Sequence, residues 1–517
     1  MTLSNAKRFA TNPIVLYSAL VAITVLTYIR GINNLFVAED FHNLNDFSIP
    51  FSDFLHYLAY SSRVKLVGFG FEWVITQLFG LQPVGYHLVL IALHLAVVLV
   101  LVQLAAKLFN NIILAVLVGA IFAVYPRNHQ DILWYGAINI SMVILFMVIT
   151  IFAFYCYLET SRLRWQIIAL TAFFAALLTH ESSIFLIPIL FFLEILFFSR
   201  QEGLRKILKP MFWFKYAPYI GLFIVYFLIN FTGLRSFRLT GGTAPTELIS
   251  VGGTGEGYQL TPLGASTIRS MLGYLTYATF PHIPLRGLDK GVVSYFIAGL
   301  TLLLLAAVII KGDRVVRFGA AWIIISALPF VLFVPFGNAD RYFYMLGVGF
   351  AIMLSGVLNM LYRKYGASNV VMPLVVFLVG LYLLSSVFLI QTRIGEWKQA
   401  GLIADNYITQ VVNLVPNPAP GSQFLFVNPP ASYEQAYIFL GGGMSGALPL
   451  RFNKGIPDLH VFHSFDPDVI QKVETAPPSA TRLPNLYILL YENGQVIDKS
   501  SVSLDVAALN PANWNKG

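Results

Sequence analysis

The sequence has few charged residues and a single cysteine. Charged residues make up 11% of its 517 residues, whereas soluble globular proteins contain roughly 25%. Cys156 has no cysteine partner in the chain, which excludes an intramolecular disulfide. The sequence also contains no Walker-type glycine loop, no paired-cysteine metal spacing and no HExxH motif. These absences argue against a soluble, nucleotide-dependent enzyme.

What is present is a series of long apolar runs. Hydrophobic residues make up 57% of the chain and the mean hydropathy is +0.72. Because roughly 20 apolar residues cross a bilayer as a helix, the pattern predicts an all-α polytopic membrane protein with about eleven transmembrane helices. The predicted spans are 14–30, 84–106, 112–125, 137–157, 166–179, 183–199, 216–232, 291–310, 318–335, 342–361 and 370–390.

The basic residues predict the orientation of these spans. With the N-terminus inside, the inner connections hold fifteen lysines and arginines, whereas the short outer turns hold only Arg127 and Arg341. This bias explains the net charge of +8 without a nucleic-acid partner. Segment 266–281 is short and is interrupted by Arg269, so we expect an amphipathic helix at the outer surface or dipping into it, although a further span stays open. Eleven spans leave the C-terminus outside.

The composition changes near residue 391, where proline, glycine and asparagine become frequent. The segment 485–500, NLYILLYENGQVIDKS, predicts two strands joined by an Asn-Gly turn. We therefore expect a transmembrane domain over 1–392 and a small extracytoplasmic α/β domain over 393–517. The predicted outer loops of the first domain are 31–83, 126–136, 179–183, 233–290 and 335–341.

Ionisable residues concentrate in four of the predicted outer loops. They are Glu39, Asp40 and His42 in the first, Arg127, His129 and Asp131 in the second, His180 and Glu181 in the third, and Asp340 and Arg341 in the last. Ionisable groups beside the hydrocarbon are costly and mark functional sites by default. The pattern predicts an outward-facing cavity that contains carboxylates, histidines and arginines.

Each of these groups also has a purely structural explanation, which the sequence leaves open. Arg127 and Asp131 can form a salt bridge, and His180 and Glu181 can form a helix cap. Arg341 can anchor a helix or pair with Asp340, and His87 and His94 can pack inside the second span. Glu39 and Asp40 can lie in a solvated loop. A solvated first loop does not account for the polar residues in the other three turns.

Four segments share their order and spacing with a known family. They are LFGLQPVGYHLVLIALHL (78–95), THESSIFLIPILFFLEILFF (179–198), ADRYFYMLGVGFA (339–351) and EWKQAGLIADNYITQVVNLVPNPAPGSQFLFVNPP (396–430). Over about residues 1–430 the chain resembles the GT-C superfamily of polytopic glycosyltransferases, nearest the protein O-mannosyltransferase and TPR-bearing O-mannosyltransferase branch. It departs from that branch at 125–130, where HPxHxE is usual, at His180, where lysine is usual, and in having no TPR array.

The resemblance implies an inverting glycosyltransferase of the membrane, most simply the bacterial cytoplasmic membrane. A polyprenyl-phosphate-linked sugar would enter from the bilayer, and the sugar would pass to a hydroxyl of a glycan, lipid or protein on the extracytoplasmic side. Asp40 would be the general base, in preference to Glu39, because the family's base is commonly an aspartate at this loop position. A divalent metal is left open.

The resemblance also suggests roles for other residues, since the developing phosphate charge needs fixed cations and hydrogen-bond donors. Candidates for binding the donor phosphate and lipid are Arg341, Arg127, His129, His180, Tyr342 and Tyr344. Candidates for binding or orienting the acceptor are Glu181, Asp131, His42 and His87.

Two other functions stay open. A transporter or flippase of polyprenyl-linked glycans should have polar groups at mid-bilayer depth and two related halves, whereas the polar groups here concentrate at one face and no halves are visible. A catalytically inactive membrane scaffold with an outer binding domain is compatible with the altered turn at 125–130.

Overall fold

The computed structural model describes residues 12–61, 64–199, 210–231, 264–283, 292–333, 339–439, 443–452, 459–465, 467–475 and 485–500. Most of these residues are helical. The helices before the C-terminal sheet are α1 (Pro13–Tyr28), α2 (Asp40–Phe47), α3 (Phe51–Tyr60), α4 (Leu66–Phe79), α5 (Pro83–Phe109), α6 (Ile112–Ala123), α7 (His129–Leu133), α8 (Ile138–Thr160), α9 (Leu163–Leu177), α10 (Leu186–Phe198), α11 (Pro210–Phe214), α12 (Ala217–Phe231), α13 (Ala265–Thr279), α14 (Val292–Lys311), α15 (Arg314–Phe333), α16 (Phe343–Tyr365) and α17 (Val371–Leu414). Most of the predicted loop 233–290 and the start of 335–341 lie outside the described residues.

Eight helices in the described ranges are long and apolar enough to cross a membrane. Helix α6 and the helical segment Pro126–Leu133 are bent by 51° relative to each other, and they add a ninth span if the two together cross the membrane once. The chain is thus a multi-pass membrane protein, but the predicted count of eleven is not confirmed. The predicted spans at 112–125, 166–179 and 216–232 coincide with α6, α9 and α12, which have 12, 15 and 15 residues. At a rise of about 1.5 Å per residue, these helices are shorter than the roughly 30 Å hydrocarbon core.

Helices α15 and α16 pack backbone against backbone. A Cβ atom added to Gly319 would lie 2.6 Å from the backbone nitrogen of Met353, and one added to Gly349 would lie 2.8 Å from the carbonyl oxygen of Gly319. Small residues at such contacts let membrane helices approach closely. This pair positions the start of α16, which borders the candidate site.

Helix α13 occupies the segment for which the sequence predicts a surface helix. Arg269, in its first half, is exposed. Its second half, Tyr274 to Ala278, is buried and packs against α15 and α16. The helix therefore dips into the bundle rather than lying only on its surface.

The predicted domain boundary at 392/393 falls inside α17. This helix runs unbroken for 44 residues. Its C-terminal part buries Trp397, Ala400, Ala404 and Tyr407, and this spacing of three or four residues keeps one face of the helix covered. The α/β unit therefore begins after Leu414 and is packed against the helix that leads into it.

The C-terminal unit contains a four-stranded sheet in the order β4-β1-β5-β6. Its elements are β1 (Gln423–Val427), β2 (Ser432–Tyr433), β3 (Ala436–Tyr437), α18 (Gly443–Arg451), β4 (His460–Ser464), α19 (Pro467–Thr475), β5 (Leu486–Glu492) and β6 (Gln495–Asp498). Strand β1 pairs in parallel with β4 and β5, and β5 pairs antiparallel with β6. The predicted Asn-Gly hairpin is confirmed, since Asn493 and Gly494 take φ values of 50° and 83°, as a type I′ turn requires.

Candidate functional site

A cavity of about 220 Å³ lies where several of the predicted outer loops meet. Both polar and apolar side chains line it. The polar side chains on its wall are Glu39, Lys65, Asn139, His180, Glu181, Ser182, Arg341 and Tyr342. The apolar side chains are Ile140, Ile184, Phe185, Pro329 and Phe330, with Ala137 beside them. The first, third and last predicted outer loops thus each contribute ionisable groups to one space.

Two ion pairs lie on the cavity wall. Arg341 Nη1 is 3.8 Å from Glu39 Oε2, and Lys65 Nζ is 3.2 Å from Glu181 Oε2. The guanidinium of Arg341 also lies 4.9 Å from the centre of the Trp134 ring, and its backbone N–H donates to Gln130 Oε1 at 2.9 Å. A separation of 3.8 Å is longer than a hydrogen bond, so Arg341 and Glu39 each keep polar atoms available to a bound molecule.

Lys65 was missed among the predicted site residues. The sequence does contain a signal, because Lys65 is one of few basic residues in the otherwise acidic loop 31–83. Its side chain is 14% exposed and that of Glu181 is 13% exposed, so both charges are held at the cavity wall rather than in open solvent. The predicted local pair of His180 and Glu181 is also present, with His180 Nδ1 at 4.0 Å from Glu181 Oε2.

Asp40, the preferred base in the sequence-based prediction, lies behind the cavity wall. It is 2% exposed, and its two carboxylate oxygens accept from the backbone N–H groups of Val37 at 2.9 Å and Gly136 at 2.8 Å. Burial raises the pKa of Asp40 to about 8, against the opposing effect of these two hydrogen bonds. Glu39 is the neighbouring carboxylate that faces the cavity, with 38% of its side chain exposed.

A second buried carboxylate, Glu72 of α4, supports the same wall. Its oxygens accept from the side-chain amides of Asn139 and, at 2.9 Å, of Asn43. Burial raises the pKa of Glu72 to about 7. Since Asn139 lines the cavity, Glu72 orients a wall residue without contacting the cavity itself. The sequence signal is one acidic residue inside the apolar run 66–79.

Arg127 and His129 belong to a different cluster, centred on Asp340. Arg127 donates to Asp340 Oδ1 and, through Nε, to the carbonyl oxygen of Tyr277 at 3.0 Å. His129 Nε2 is 2.8 Å from Asp340 Oδ2, and its Nδ1 accepts from Trp397 Nε1 at 3.0 Å, so Nε2 carries the proton of the neutral ring. Both side chains are buried and neither lines the cavity. Arg127 forms its ion pair with Asp340, whereas the sequence suggested a salt bridge between Arg127 and Asp131.

The remaining predicted site residues also lie away from the cavity wall. His87 is buried with Nε2 at 3.0 Å from the carbonyl oxygen of Asn34, and Tyr344 is buried with its hydroxyl 2.7 Å from His94 Nδ1. Asp131 is fully buried, and His42 is half-buried beside Asp46 at 3.4 Å. Of the predicted set, the structure brings together Glu39, His180, Glu181, Arg341 and Tyr342.

Within the described ranges, no group of three or more histidine, cysteine, aspartate or glutamate side chains is arranged to hold a metal ion. The two carboxylates on the wall, Glu39 and Glu181, are each paired with a cation instead. A divalent metal therefore stays a prediction from the resemblance.

The fold and this cavity define a class: a multi-pass helical membrane protein with a small α/β unit and a cavity that holds paired carboxylates and cations. No protein-family model and no curated protein matches the chain. Among solved structures it is similar to ArnT from Cupriavidus metallidurans bound to undecaprenyl phosphate, at 12% identity and a TM-score of 0.45 over 94% of this chain and 97% of that one. The apo state of the same ArnT is similar to this chain at 12% identity and a TM-score of 0.45, over 96% of this chain and 100% of that one.

The chain is also similar to the Archaeoglobus fulgidus oligosaccharyltransferase in its complex with Zn and sulfate. The identity is 12% and the TM-score is 0.42, over 80% of this chain. The chain spans 60% of the length of that oligosaccharyltransferase. Similarities of this size do not assign an activity, so the function is inferred from the residues of the cavity.

Proposed function

We propose that this protein is a GT-C-type membrane glycosyltransferase that transfers a sugar from a polyprenyl-phosphate donor to an acceptor hydroxyl on the extracytoplasmic side. The observation that carries the proposal is the cavity that combines the carboxylate of Glu39 with the cations of Arg341 and Lys65. Such a site can accept a proton and stabilise a leaving phosphate in the same small space. The four motifs that resemble the family agree with this chemistry.

Glu39 is the proposed general base, in place of Asp40. The acceptor hydroxyl transfers its proton to Glu39 as the acceptor oxygen attacks the anomeric carbon from the face opposite the phosphate. The bond between that carbon and the phosphate oxygen breaks, and the polyprenyl phosphate leaves with the electron pair. The anomeric configuration is therefore inverted. Glu39 is suited to this step because its carboxylate faces the cavity and Asp40 does not.

Arg341 and Lys65 are the proposed phosphate-binding groups. An arginine can hold a phosphate with two parallel hydrogen bonds, and a lysine adds a mobile point charge. Trp134 lies under the guanidinium of Arg341 and restricts its orientation. His180 and Tyr342, on the same wall, can donate further hydrogen bonds to the phosphate or to the sugar.

The apolar residues that line the cavity wall suit the lipid part of the donor. Phe185 precedes α10, and Pro329 and Phe330 lie near the end of α15. Their side chains give a polyprenyl chain an apolar surface beside the phosphate site, so burying the chain there is favourable. We infer that the donor approaches from the bilayer along this wall.

Asp40 and Glu72 have supporting roles in this proposal. Asp40 fixes the first loop to the Tyr135–Ala137 turn through Gly136, and Glu72 fixes Asn139. Each acts through a neighbour on the cavity wall. Arg127 and His129 stabilise the last loop through Asp340.

The proposal is tested with the purified full-length protein and a panel of undecaprenyl-phosphate-linked monosaccharides. Release of undecaprenyl phosphate, measured by mass spectrometry, is expected with at least one sugar. Arg341→Met should reduce that release by at least tenfold, whereas Arg269→Met, at an exposed position of α13, should not change it. Wild-type protein that releases undecaprenyl phosphate from none of the donors would contradict the proposal.

A further inference from the structure

The loop that carries Glu39 is held between α17 and the C-terminal unit. On one side, a Cβ atom added to Gly401 of α17 would lie 3.0 Å from Leu35 Cβ and 3.1 Å from the Leu35 carbonyl oxygen. On the other side, the backbone N–H of Ala38 donates to the carbonyl oxygen of Ile438 at 2.7 Å. The segment 35–38, immediately before Glu39, is therefore contacted by Gly401 and Ile438, which lie far away in sequence.

Helix α18 of the C-terminal unit lies directly on the backbone of α2. A Cβ atom added to Gly446 would be 2.4 Å from the backbone nitrogen of His42 and 2.5 Å from the carbonyl oxygen of Phe41. One added to Gly443 would be 2.6 Å from the carbonyl oxygen of Ala38. All of these neighbours are backbone atoms, so no side-chain rotation can make room for a larger residue. Only glycine at 443 and 446 permits this approach.

The same segment has a backbone conformation that its own residues do not favour. Ala38 has φ of 48°, in the left-handed region where residues other than glycine are uncommon. Such conformations persist where the surroundings fix them. Here the fixed surroundings are the hydrogen bond from Ala38 to Ile438 and the ring of Phe439, whose centre is 6.2 Å from that of Phe41. The C-terminal unit thus supplies contacts that help to fix the shape of the loop.

The shape of this loop decides which carboxylate faces the cavity. Val37 N–H and Gly136 N–H together hold Asp40, which leaves the preceding Glu39 on the wall near Arg341. A displacement of the loop at Ala38 or at Phe41 moves Glu39 directly, because both lie within two residues of it.

We infer that the C-terminal α/β unit positions the catalytic carboxylate, with Gly443 and Gly446 as the positioning residues that let α18 fit against the first loop. This inference rests on the proposed function, in which Glu39 is the base. It gives the unit after Leu414 a role in the reaction without any contact between that unit and the donor.

The test is Gly446→Ala in the full-length protein, with Gly395→Ala as the matched control. Gly395 also lies within a helix, but an added Cβ meets nothing within 4 Å. Hydrogen–deuterium exchange of the backbone over 34–47 is expected to rise at least tenfold in Gly446→Ala and to stay unchanged in Gly395→Ala. With the undecaprenyl-phosphate sugar that the wild type uses, kcat should fall at least tenfold while KM for that donor changes less than twofold.

A purely structural role for Gly446 would instead raise exchange throughout the protein. Unchanged exchange over 34–47 with unchanged kcat in Gly446→Ala would overturn the inference. If Gly446→Ala does not fold, as judged by size-exclusion chromatography, Phe439→Leu decides, because it removes the ring contact with Phe41 and adds no atom. Raised exchange over 34–47 in Phe439→Leu supports the inference, and unchanged exchange overturns it. Lack of turnover in the wild type contradicts the glycosyltransferase itself, whereas the exchange result does not depend on turnover.

Discussion

Adjacent residues of the first loop have different environments, and this difference separates their proposed roles. Glu39 precedes α2 and faces the cavity, whereas Asp40 begins α2 and is buried between two backbone N–H groups. Successive residues of a helix point about 100° apart, so a sequence can predict a pair of carboxylates but not which of them faces a ligand. The sequence therefore predicts the pair in the first outer loop, and the structure shows that Glu39, not Asp40, lines the cavity.

The protonation of Asp40 should make stability depend on pH. Burial raises its folded-state pKa from an ordinary 3.8 to about 8, so the folded protein binds this proton more tightly than the unfolded chain. The resulting stability is fully present below the ordinary pKa and is lost as the pH rises through about 8. The contribution of Asp40 to the melting temperature should therefore fall between about pH 4 and about pH 8.

Asp40→Asn cannot ionise and should show a clearly smaller fall in melting temperature over that range. Burial raises the pKa of Glu72 to about 7, so Glu72 maintains part of the pH dependence of stability in this variant. Asp53→Asn, at an exposed position, is the control and should retain the wild-type slope. Equal slopes for Asp40→Asn and the wild type would show that Asp40 is ionised in the folded protein.

Among the helices and strands, features that depend on neighbouring residues follow from the sequence, whereas features that depend on long-range packing do not. The Asn-Gly turn between β5 and β6 follows from two residues whose backbone preferences match the turn. The continuation of α17 to Leu414 does not follow from composition, because its polar half is stabilised by burying Trp397 and Tyr407 against other parts of the chain. A change in composition therefore does not mark the end of this helix.

The contact between α15 and α16 should be sensitive to one methyl group. Gly319→Ala places a Cβ atom 2.6 Å from the backbone nitrogen of Met353, and overpacking of this kind costs about 1–3 kcal/mol. A lower melting temperature in a mild detergent is expected. Gly299→Ala in α14, where an added Cβ meets nothing within 4 Å, should be neutral or slightly stabilising. Equal melting temperatures for the two variants would contradict the close packing.

For the molecule as a whole, hydropathy predicted the architecture and left the exact number of spans unresolved. The site is harder to predict, because its partners are far apart in sequence. Arg127 and Asp340 are separated by 213 positions, and Lys65 pairs with Glu181 of a different predicted outer loop. Grouping polar residues by predicted face assembles loops that line the cavity, but it does not separate the cavity wall from the cluster around Asp340.

The predicted orientation can be checked with single cysteines in a Cys156→Ser background. Asp53→Cys lies in the predicted first outer loop, and Thr160→Cys lies at a predicted inner connection; both positions are exposed. In intact cells, a membrane-impermeant maleimide should label Asp53→Cys and not Thr160→Cys, and both should react after the membrane is permeabilised. The reverse pattern would place the cavity on the cytoplasmic side.

The most direct measurement compares Glu39→Gln and Asp40→Asn for release of undecaprenyl phosphate from the donor that the wild type uses. Removing a general base typically costs about 10²–10⁴-fold in rate. Glu39→Gln should therefore lose at least about 100-fold in kcat, while still binding undecaprenyl phosphate through Arg341 and Lys65. The loss of kcat in Asp40→Asn should be smaller, because Asp40 positions the loop and does not accept the proton in this proposal. Wild-type kcat in Glu39→Gln would contradict the assignment of Glu39 as the base.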